Sequence, residues 1–143
     1  MIKSNPIELA KITSIGATTP VTFSLSTAIP DYSYQMAKME TQETCVVISL
    51  TALTGSLPTL TFDVYETVDG HDFHVGTTGA MSSPDDRVID SGGGTTANGA
   101  TFTSTSMLRL LGKGTDMKVV VTPSAVTIAT VAATINVILY DGA

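Results

Sequence analysis

The sequence predicts an all-β protein, folded as a single-domain antiparallel β-sandwich. First, apolar and polar side chains alternate in several short segments, as on strands with one buried face. Second, these segments recur at intervals of roughly 8 to 15 residues, separated by turn residues and without a strongly amphipathic helix. Third, charged residues are only 14% of the 143 residues, against a usual share of about 25%. About seven to nine such strands favour a β-sandwich or jelly roll.

The clearest segment for this fold runs from Leu60 to Val75. Apolar side chains alternate with polar ones up to Val68, which predicts a strand with one buried face. Asp69-Gly70 predicts a tight hairpin turn, because Gly accepts positive φ without steric cost and Asp tolerates it. The return strand is predicted to begin near Phe73.

The beginning of the chain is predicted to be an N-terminal arm, residues 1–10, followed by the sandwich domain, residues 11–143. Pro6 would interrupt any early strand ladder, and such an arm is either a frayed end or a segment that reaches a neighbouring subunit. The next strand is predicted at Val21–Ser26, with an inner face made of Val21, Phe23 and Leu25.

The region from Ile29 to Glu43 allows two interpretations, since its Met spacing suits a short helix and its Tyr spacing suits a strand. A loop followed by a strand is favoured. Thr44–Leu50 is dense in β-branched residues, which predicts a central strand. Turn residues at 54–58 are predicted to end it.

The second half of the chain is predicted to open with a long polar stretch, Gly76–Gly99, interrupted only by Arg87–Ile89. Within it, Gly92–Gly99 is expected to be an exposed loop. Three strands follow, of which the second ends at Pro123 and the last is long and uncharged, as in the middle of a sheet. They are Thr101–Leu111, Met117–Val121 and Val126–Tyr140.

Composition and charge argue against several classes of partner. The net charge is −6 and the seven basic residues are scattered, so we expect no nucleic acid partner, because phosphate binding needs clustered Lys and Arg. No apolar run approaches the roughly 18 residues that span a bilayer, and Met1–Pro6 lacks the apolar run of a signal peptide. We therefore expect no membrane association and folding in the cytoplasm. The lone Cys45 is expected to be buried and unreactive.

The one cluster with metal-ligand chemistry is Asp69–His74, which holds two His and two Asp. Zinc favours three or four such ligands. However, residues three apart on a strand point to opposite faces, which separates His71 from His74. An exposed turn is the favoured interpretation, and no metal or cofactor is expected.

Other candidate sites also favour structural interpretations. Asp85-Asp86-Arg87 with Asp90 lacks the closing Glu of an EF-hand, which favours a solvated acidic loop. Gly92–Gly94 lacks the Lys-Ser/Thr pair of a phosphate loop, and no Gly-x-Ser-x-Gly nucleophile motif is present. We therefore expect no catalytic residue and no enzymatic activity. Scattered tyrosines that could stack on a sugar are interpreted as ordinary strand residues: Tyr32, Tyr34, Tyr65 and Tyr140.

The hairpin carries a resemblance to a known family. Its pattern, Leu60-x-Phe62-x-Val64-x-Glu66-x-Val68-Asp69-Gly70-x-x-Phe73, resembles a hairpin of small virion proteins of tailed bacteriophages, especially the capsid decoration (cement) proteins of jelly-roll or β-sandwich type. The resemblance implies a structural protein that binds the outer surface of the phage head and stabilises contacts between major capsid proteins. It also implies a homo-oligomer, with a trimer favoured, which is made in the host cytoplasm and resides on the capsid surface.

The natural contact elements in that role are the N-terminal arm and the loops predicted at 28–42 and 76–99. The main alternative is a β-sandwich associated with a phage tail, baseplate or fibre that binds host glycans or other tail subunits. A third hypothesis is a zinc or calcium enzyme on a cupin-like barrel, for which the chain offers few ligands.

Overall fold

The computed structural model describes residues 7–28, 43–68, 70–90, 101–102 and 116–140. Those ranges contain nine strands and one helix of four residues, α1 (Leu25–Ala28). The strands are β1 (Ile7–Ile12), β2 (Val21–Ser24), β3 (Glu43–Ser56), β4 (Thr59–Val68), β5 (His71–Met81), β6 (Asp85–Asp90), β7 (Thr101–Phe102), β8 (Asp116–Ser124) and β9 (Thr127–Tyr140).

The strands form two antiparallel sheets. One has the order β1-β9-β3-β6 and the other the order β2-β8-β4-β5-β7. Inward side chains of both sheets build one apolar core, because every second residue of a strand points to the same face. Four of its fully buried members are Ile48, Phe62, Met117 and Ile135. The predicted antiparallel β-sandwich is therefore confirmed.

The two longest strands lie side by side in the middle of the first sheet. Their ladder runs from Glu43 opposite Tyr140 to Ser56 opposite Thr127. β1 covers the other side of β9, and β6 covers the other side of β3. The predictions of a central strand near residues 44–50 and of a central C-terminal strand are both confirmed, although β3 continues through most of the turn predicted at 54–58.

The predicted hairpin is present as β4 and β5. Val68 lies opposite His71, and Gly70 has a φ of 77°, the left-handed region that Gly accepts without a Cβ clash. Asp69 lies outside the described residues. The return strand begins at His71, two residues earlier than predicted.

The predicted boundary of the N-terminal arm is wrong in its last four residues. Residues 7–10 belong to β1, which pairs with β9 at the edge of the first sheet. A register shift after Glu8 allows two consecutive residues, Leu9 and Ala10, to be buried. Because of this irregular spacing, β1 lacks the regular apolar–polar alternation that predicts a strand. Residues 1–6 lie outside the described part of the chain.

The long polar loop predicted at 76–99 is also wrong in its first part. β5 continues to Met81, and Asp85–Asp90 forms β6 rather than a solvated acidic loop. Gly76 and Thr78 are buried inside β5, where a short or hydroxyl-bearing residue replaces the expected apolar one. β6 is an edge strand, and edge strands carry charge because it discourages pairing with other chains. Residues 91–99 lie outside the described ranges.

Three smaller differences concern strand ends. The strand predicted at 21–26 stops at Ser24, and the fully buried Leu25 belongs to α1. Pro123 lies inside β8 instead of ending it. Of the strand predicted at 101–111, β7 accounts for the first two residues, and the rest is outside the described residues, as is the ambiguous segment 29–42.

Candidate functional site

Polar side chains gather on the outer surface of the second sheet, around the β4–β5 hairpin. Because strand residues alternate, the β4 side chains next to the buried Phe62, Val64 and Glu66 point away from the core. Tyr65 lies opposite His74 on β5 and opposite Lys118 on β8. We call this surface the hairpin face; it consists of Asp63, Tyr65, Thr67, Asp72, His74 and Lys118.

In the part of the hairpin face farther from the β4–β5 turn, the carboxylate of Asp63, the imidazole of His74 and the phenol ring of Tyr65 lie close together. His74 Nε2 lies 2.9 Å from Asp63 Oδ1, with 33% and 23% of the two side chains exposed. The Tyr65 ring meets the His74 ring edge-on, with 5.2 Å between ring centroids. Burial, and then the negative charges of Asp63 and Asp72, raise the pKa of Tyr65. Tyr65 therefore stays neutral at physiological pH, with its hydroxyl protonated.

In the part of the hairpin face nearer the β4–β5 turn, Asp72 accepts hydrogen bonds from two neighbouring side chains. Thr67 Oγ1 donates a hydrogen bond to Asp72 Oδ1 over 2.7 Å, and Lys118 Nζ donates one to Asp72 Oδ2 over 3.2 Å. The Thr67 hydrogen bond first, and then Lys118, lower the pKa of Asp72, because both favour the ionised carboxylate. These bonds tie β4, β5 and β8 together on their solvent side.

A third acidic residue, Asp116, fixes α1 beside this face. Its Oδ2 accepts a 2.7 Å hydrogen bond from Ser26 Oγ, and its Oδ1 accepts bonds from the backbone N–H groups of Ser26 and Met117. Ser24 Oγ accepts a 3.3 Å hydrogen bond from the Thr27 N–H, as an N-cap does. The short helix is therefore held by side chains at both the sheet and its own start.

The structure does not gather the two histidines into a metal site. His71 is exposed opposite Val68, whereas His74 lies opposite Tyr65 and contacts Asp63. Within the described ranges, no three His, Cys, Asp or Glu side chains come close enough to hold a metal ion. The arrangement around His74 is a partly exposed carboxylate–imidazole pair on the outer surface of the sheet.

The acidic residues considered for calcium lie along β6. Asp86 Oδ1 accepts a 2.7 Å hydrogen bond from Ser49 on the neighbouring strand, and Asp85 pairs with Arg87. The Asp86 N–H first, and then Arg87, lower the pKa of Asp85. These side chains therefore lie on an edge strand and bond to each other or to the neighbouring strand. The side chains of Asp90, Cys45 and Tyr140, together with Tyr32, Tyr34 and residues 92–94, lie outside what the structure describes.

Glu66 is a buried charged residue that the sequence search did not single out as a site. It faces the core with 1% of its surface exposed, opposite Phe73 and Met117. Carboxylates are rarely buried this deeply, so this residue type is unusual at a core-facing position of a strand. The signal in the sequence is its spacing, since the alternation that buries Phe62 and Val64 also buries Glu66.

The hairpin face offers hydrogen-bonding groups and an aromatic ring on the outer surface of the sheet. Two cavities of about 300 and 330 Å³ lie elsewhere, one beside Lys11 and Phe23 and the other beside Leu57. No helix within the described ranges has the length and apolar character that crossing a bilayer requires.

Comparison of the chain with protein-family models, with curated proteins and with solved structures finds no significant match.

Proposed function

We propose that this chain is a structural virion protein, a capsid decoration (cement) protein that binds the outer surface of a phage head and stabilises contacts between major capsid proteins. The observation that carries the proposal is the position of the hairpin at residues 60–73, whose pattern resembles the decoration-protein hairpin. It forms β4 and β5 of the five-stranded sheet and presents a polar face to solvent.

We further propose that the sandwich is a jelly roll. A jelly roll results when one long antiparallel hairpin of eight strands is rolled up, so that strands pair from the outside inwards. With the two-residue β7 left out, the observed pairs β1·β9, β2·β8, β3·β6 and β4·β5 follow that scheme. The two remaining pairs, β3·β9 and β4·β8, are the contacts that form when the long hairpin rolls up into two sheets.

A role in binding rather than in chemistry is supported by how the hairpin face uses its polar groups. His74 contacts Asp63, and Asp72 is held by Thr67 and Lys118. A general acid or base needs to reach a substrate, usually inside a concave site. Here the groups bond to each other across strands, which rigidifies a surface for contact with other proteins.

The partners in this proposal are the major capsid protein and further copies of this chain, with a trimer favoured. Contacts repeated over a symmetric shell add avidity, so each individual contact can be modest. Binding to the capsid also stabilises the folded sandwich by mass action. The protein is made in the host cytoplasm and resides on the capsid surface.

Co-sedimentation tests the proposal. Purified protein is mixed with heads that lack it, and the heads are pelleted and washed. We expect saturable binding at a fixed ratio to the major capsid protein, while an unrelated acidic β-sandwich protein stays in the supernatant. Absence of the protein from the pellet at saturating concentration contradicts the proposal.

A second candidate is a tail, baseplate or fibre component that binds host glycans. One observation favours it: Tyr65 lies on the outer sheet surface between Asp63 and Lys118, and sugar sites commonly combine an aromatic ring with polar groups. A glycan array separates the two candidates. Selective sugar binding that Tyr65→Ala abolishes, without affinity for heads, favours the tail component.

A further inference from the structure

Within the described part of the chain, the four connections at one end of the sandwich contain no charged residue. Strand registers place the β3–β4 turn (57–58), the β5–β6 turn (82–84) and the β8–β9 turn (125–126) side by side, next to the β1–β2 connection (13–20). The chain has 13 acidic and 7 basic residues, yet none lies in these four segments. We call this surface the charge-free end.

Two large apolar side chains project from the charge-free end. Leu57 is 91% exposed and Val126 is 81% exposed. No other large hydrophobic residue in the described part of the chain is exposed. The Val126 N–H donates a 3.4 Å hydrogen bond to the Ser56 carbonyl oxygen, so their two turns are in contact. Because the two turns are in contact, Leu57 and Val126 form one exposed apolar surface, and contiguous apolar surfaces are where other proteins bind.

The backbone also holds Leu57 outward in an unfavourable conformation. Its φ is 52°, in the left-handed region that residues other than Gly and Asn rarely adopt. In the described ranges, no other residue apart from glycines has a positive φ. Beside it lies the cavity of about 330 Å³, lined by Gly55, Leu57, Pro58, Thr59 and Ser82. The charge-free end therefore combines projecting apolar side chains with a neighbouring cavity.

Charge and shape together indicate what covers this end. Each copy of the chain has a net charge of −6, so most approaches of two copies bring like charges together. Contact through the charge-free end reduces this repulsion, because its four segments contain no charged residue and the adjoining Asp85 is paired with Arg87. A projection beside a cavity also lets Leu57 of one copy pack against the cavity of the next copy, and such a head-to-tail contact can close a ring such as a trimer. Hydroxyl groups around it, such as those of Ser56 and Thr127, supply a polar rim.

We propose that a second copy of this chain docks on the charge-free end, with Leu57 and Val126 at the centre of the contact. The assignment rests on the homo-oligomer in the proposed function and names the surface that forms it. Capsid binding is not needed for it, so it can be tested with the purified chain alone.

The test is sedimentation equilibrium of the full-length protein over a wide concentration range. We expect the wild type to show masses of two or more copies. Leu57→Asp and Val126→Asp each place a carboxylate in the contact, and each is expected to weaken self-association by more than about tenfold. His71→Asp is the control, because it also introduces a carboxylate at an exposed site but lies at the opposite end of the sandwich, where the β4–β5 turn is. This variant is expected to self-associate like the wild type.

Leu57→Gly guards against loss of folding as an explanation. Gly accepts the φ of 52°, so this variant is expected to lose self-association and, at concentrations where the wild type is also monomeric, to keep the thermal midpoint of the wild type or exceed it. A monomeric wild type at every concentration overturns the proposal, and so does a Leu57→Asp protein that associates as strongly as His71→Asp.

Two further results also overturn it by naming another occupant. One is a monomeric wild type that floats with neutral phosphatidylcholine vesicles through Leu57. The other is a monomeric wild type whose binding to heads is abolished by Leu57→Asp. If self-association is lost in the Asp variants and the wild type fails to bind heads, the docking surface stands and the capsid function fails.

Discussion

The backbone N–H of Phe62 donates a 3.1 Å hydrogen bond to the side-chain hydroxyl of Thr78 inside the core. The bond lies where the β4–β5 ladder shifts register, because Thr61 pairs with Ala80 but Asp63 pairs with Thr77. The extra residue on β5 removes the regular backbone acceptor, and Thr78 Oγ1 replaces it while donating to the Gly79 carbonyl oxygen. A polar side chain thus completes the central hairpin.

Removing that hydroxyl is expected to destabilise the protein. Thr78→Val keeps the shape but leaves a buried N–H without an acceptor, which lowers the free energy of unfolding by about 1–3 kcal/mol. Thr78→Ser keeps the hydroxyl and loses one methyl group, at a cost of about 0.8 kcal/mol. Urea unfolding measures both. Equal stability of Thr78→Val and the wild type contradicts this role.

Gly55 is expected to be less replaceable than Gly16, Gly70 or Gly79. A Cβ there would lie 2.2 Å from the Thr127 carbonyl oxygen, at a φ of 146°, so Gly55→Ala has to move the backbone of β3 or β9. We expect a loss of more than about 3 kcal/mol, above the usual cost of overpacking. Gly16→Ala meets only ordinary contacts and is the control, with an expected change within about 0.5 kcal/mol. Denaturant midpoints that coincide for the two variants refute this ranking.

Relief of strain at Leu57 is a third expectation. Leu57→Gly removes a left-handed strain of about 1–2 kcal/mol, and the extra freedom of Gly in the unfolded chain offsets part of it. The unfolding free energy should stay the same or rise by up to about 1 kcal/mol, measured where the protein is monomeric. Val126→Gly, at the neighbouring exposed position without positive φ, should instead lose about 0.5–1 kcal/mol. The expectation fails if both variants lose the same amount.

Asp72 is expected to make stability depend on pH in acid. Its folded pKa is lowered, so its stabilising contribution is complete above the ordinary value of 3.8 and is lost as the pH falls through the lower folded value. Thr67→Val removes the main cause, so the pKa of Asp72 should rise towards its ordinary value in an NMR titration. Thr22→Val, at an exposed threonine on β2, should leave it unchanged. An unshifted Asp72 titration in Thr67→Val rules out this assignment.

The parts of the fold that the sequence predicts are those in which local pattern and tertiary position agree. Alternation up to Val68 and the following Asp-Gly turn define the β4–β5 hairpin, and the uncharged C-terminal run defines β9. β6 is hidden because its acidic residues reflect an edge position, which only the assembled sheet reveals. The end of β5 is hidden because Gly76 and Thr78 fill buried sites that apolar residues usually occupy.

The candidate site is less predictable than the fold. Alternation places Asp63 and Tyr65 on the outer surface and Glu66 in the core. However, the contact of His74 with Asp63 depends on register shifts between β4 and β5, which no local pattern specifies. The closeness of Leu57 and Val126 depends on the pairing of two strands that are far apart in sequence.

The central claim, that this protein reinforces a phage head, is tested most directly by heat-induced release of packaged DNA. Heads that lack the protein are heated with a DNA-binding dye, either bare or after saturation with purified protein. We predict that the saturated heads release their DNA at a higher temperature than the bare heads. Release at the same temperature from both contradicts the account.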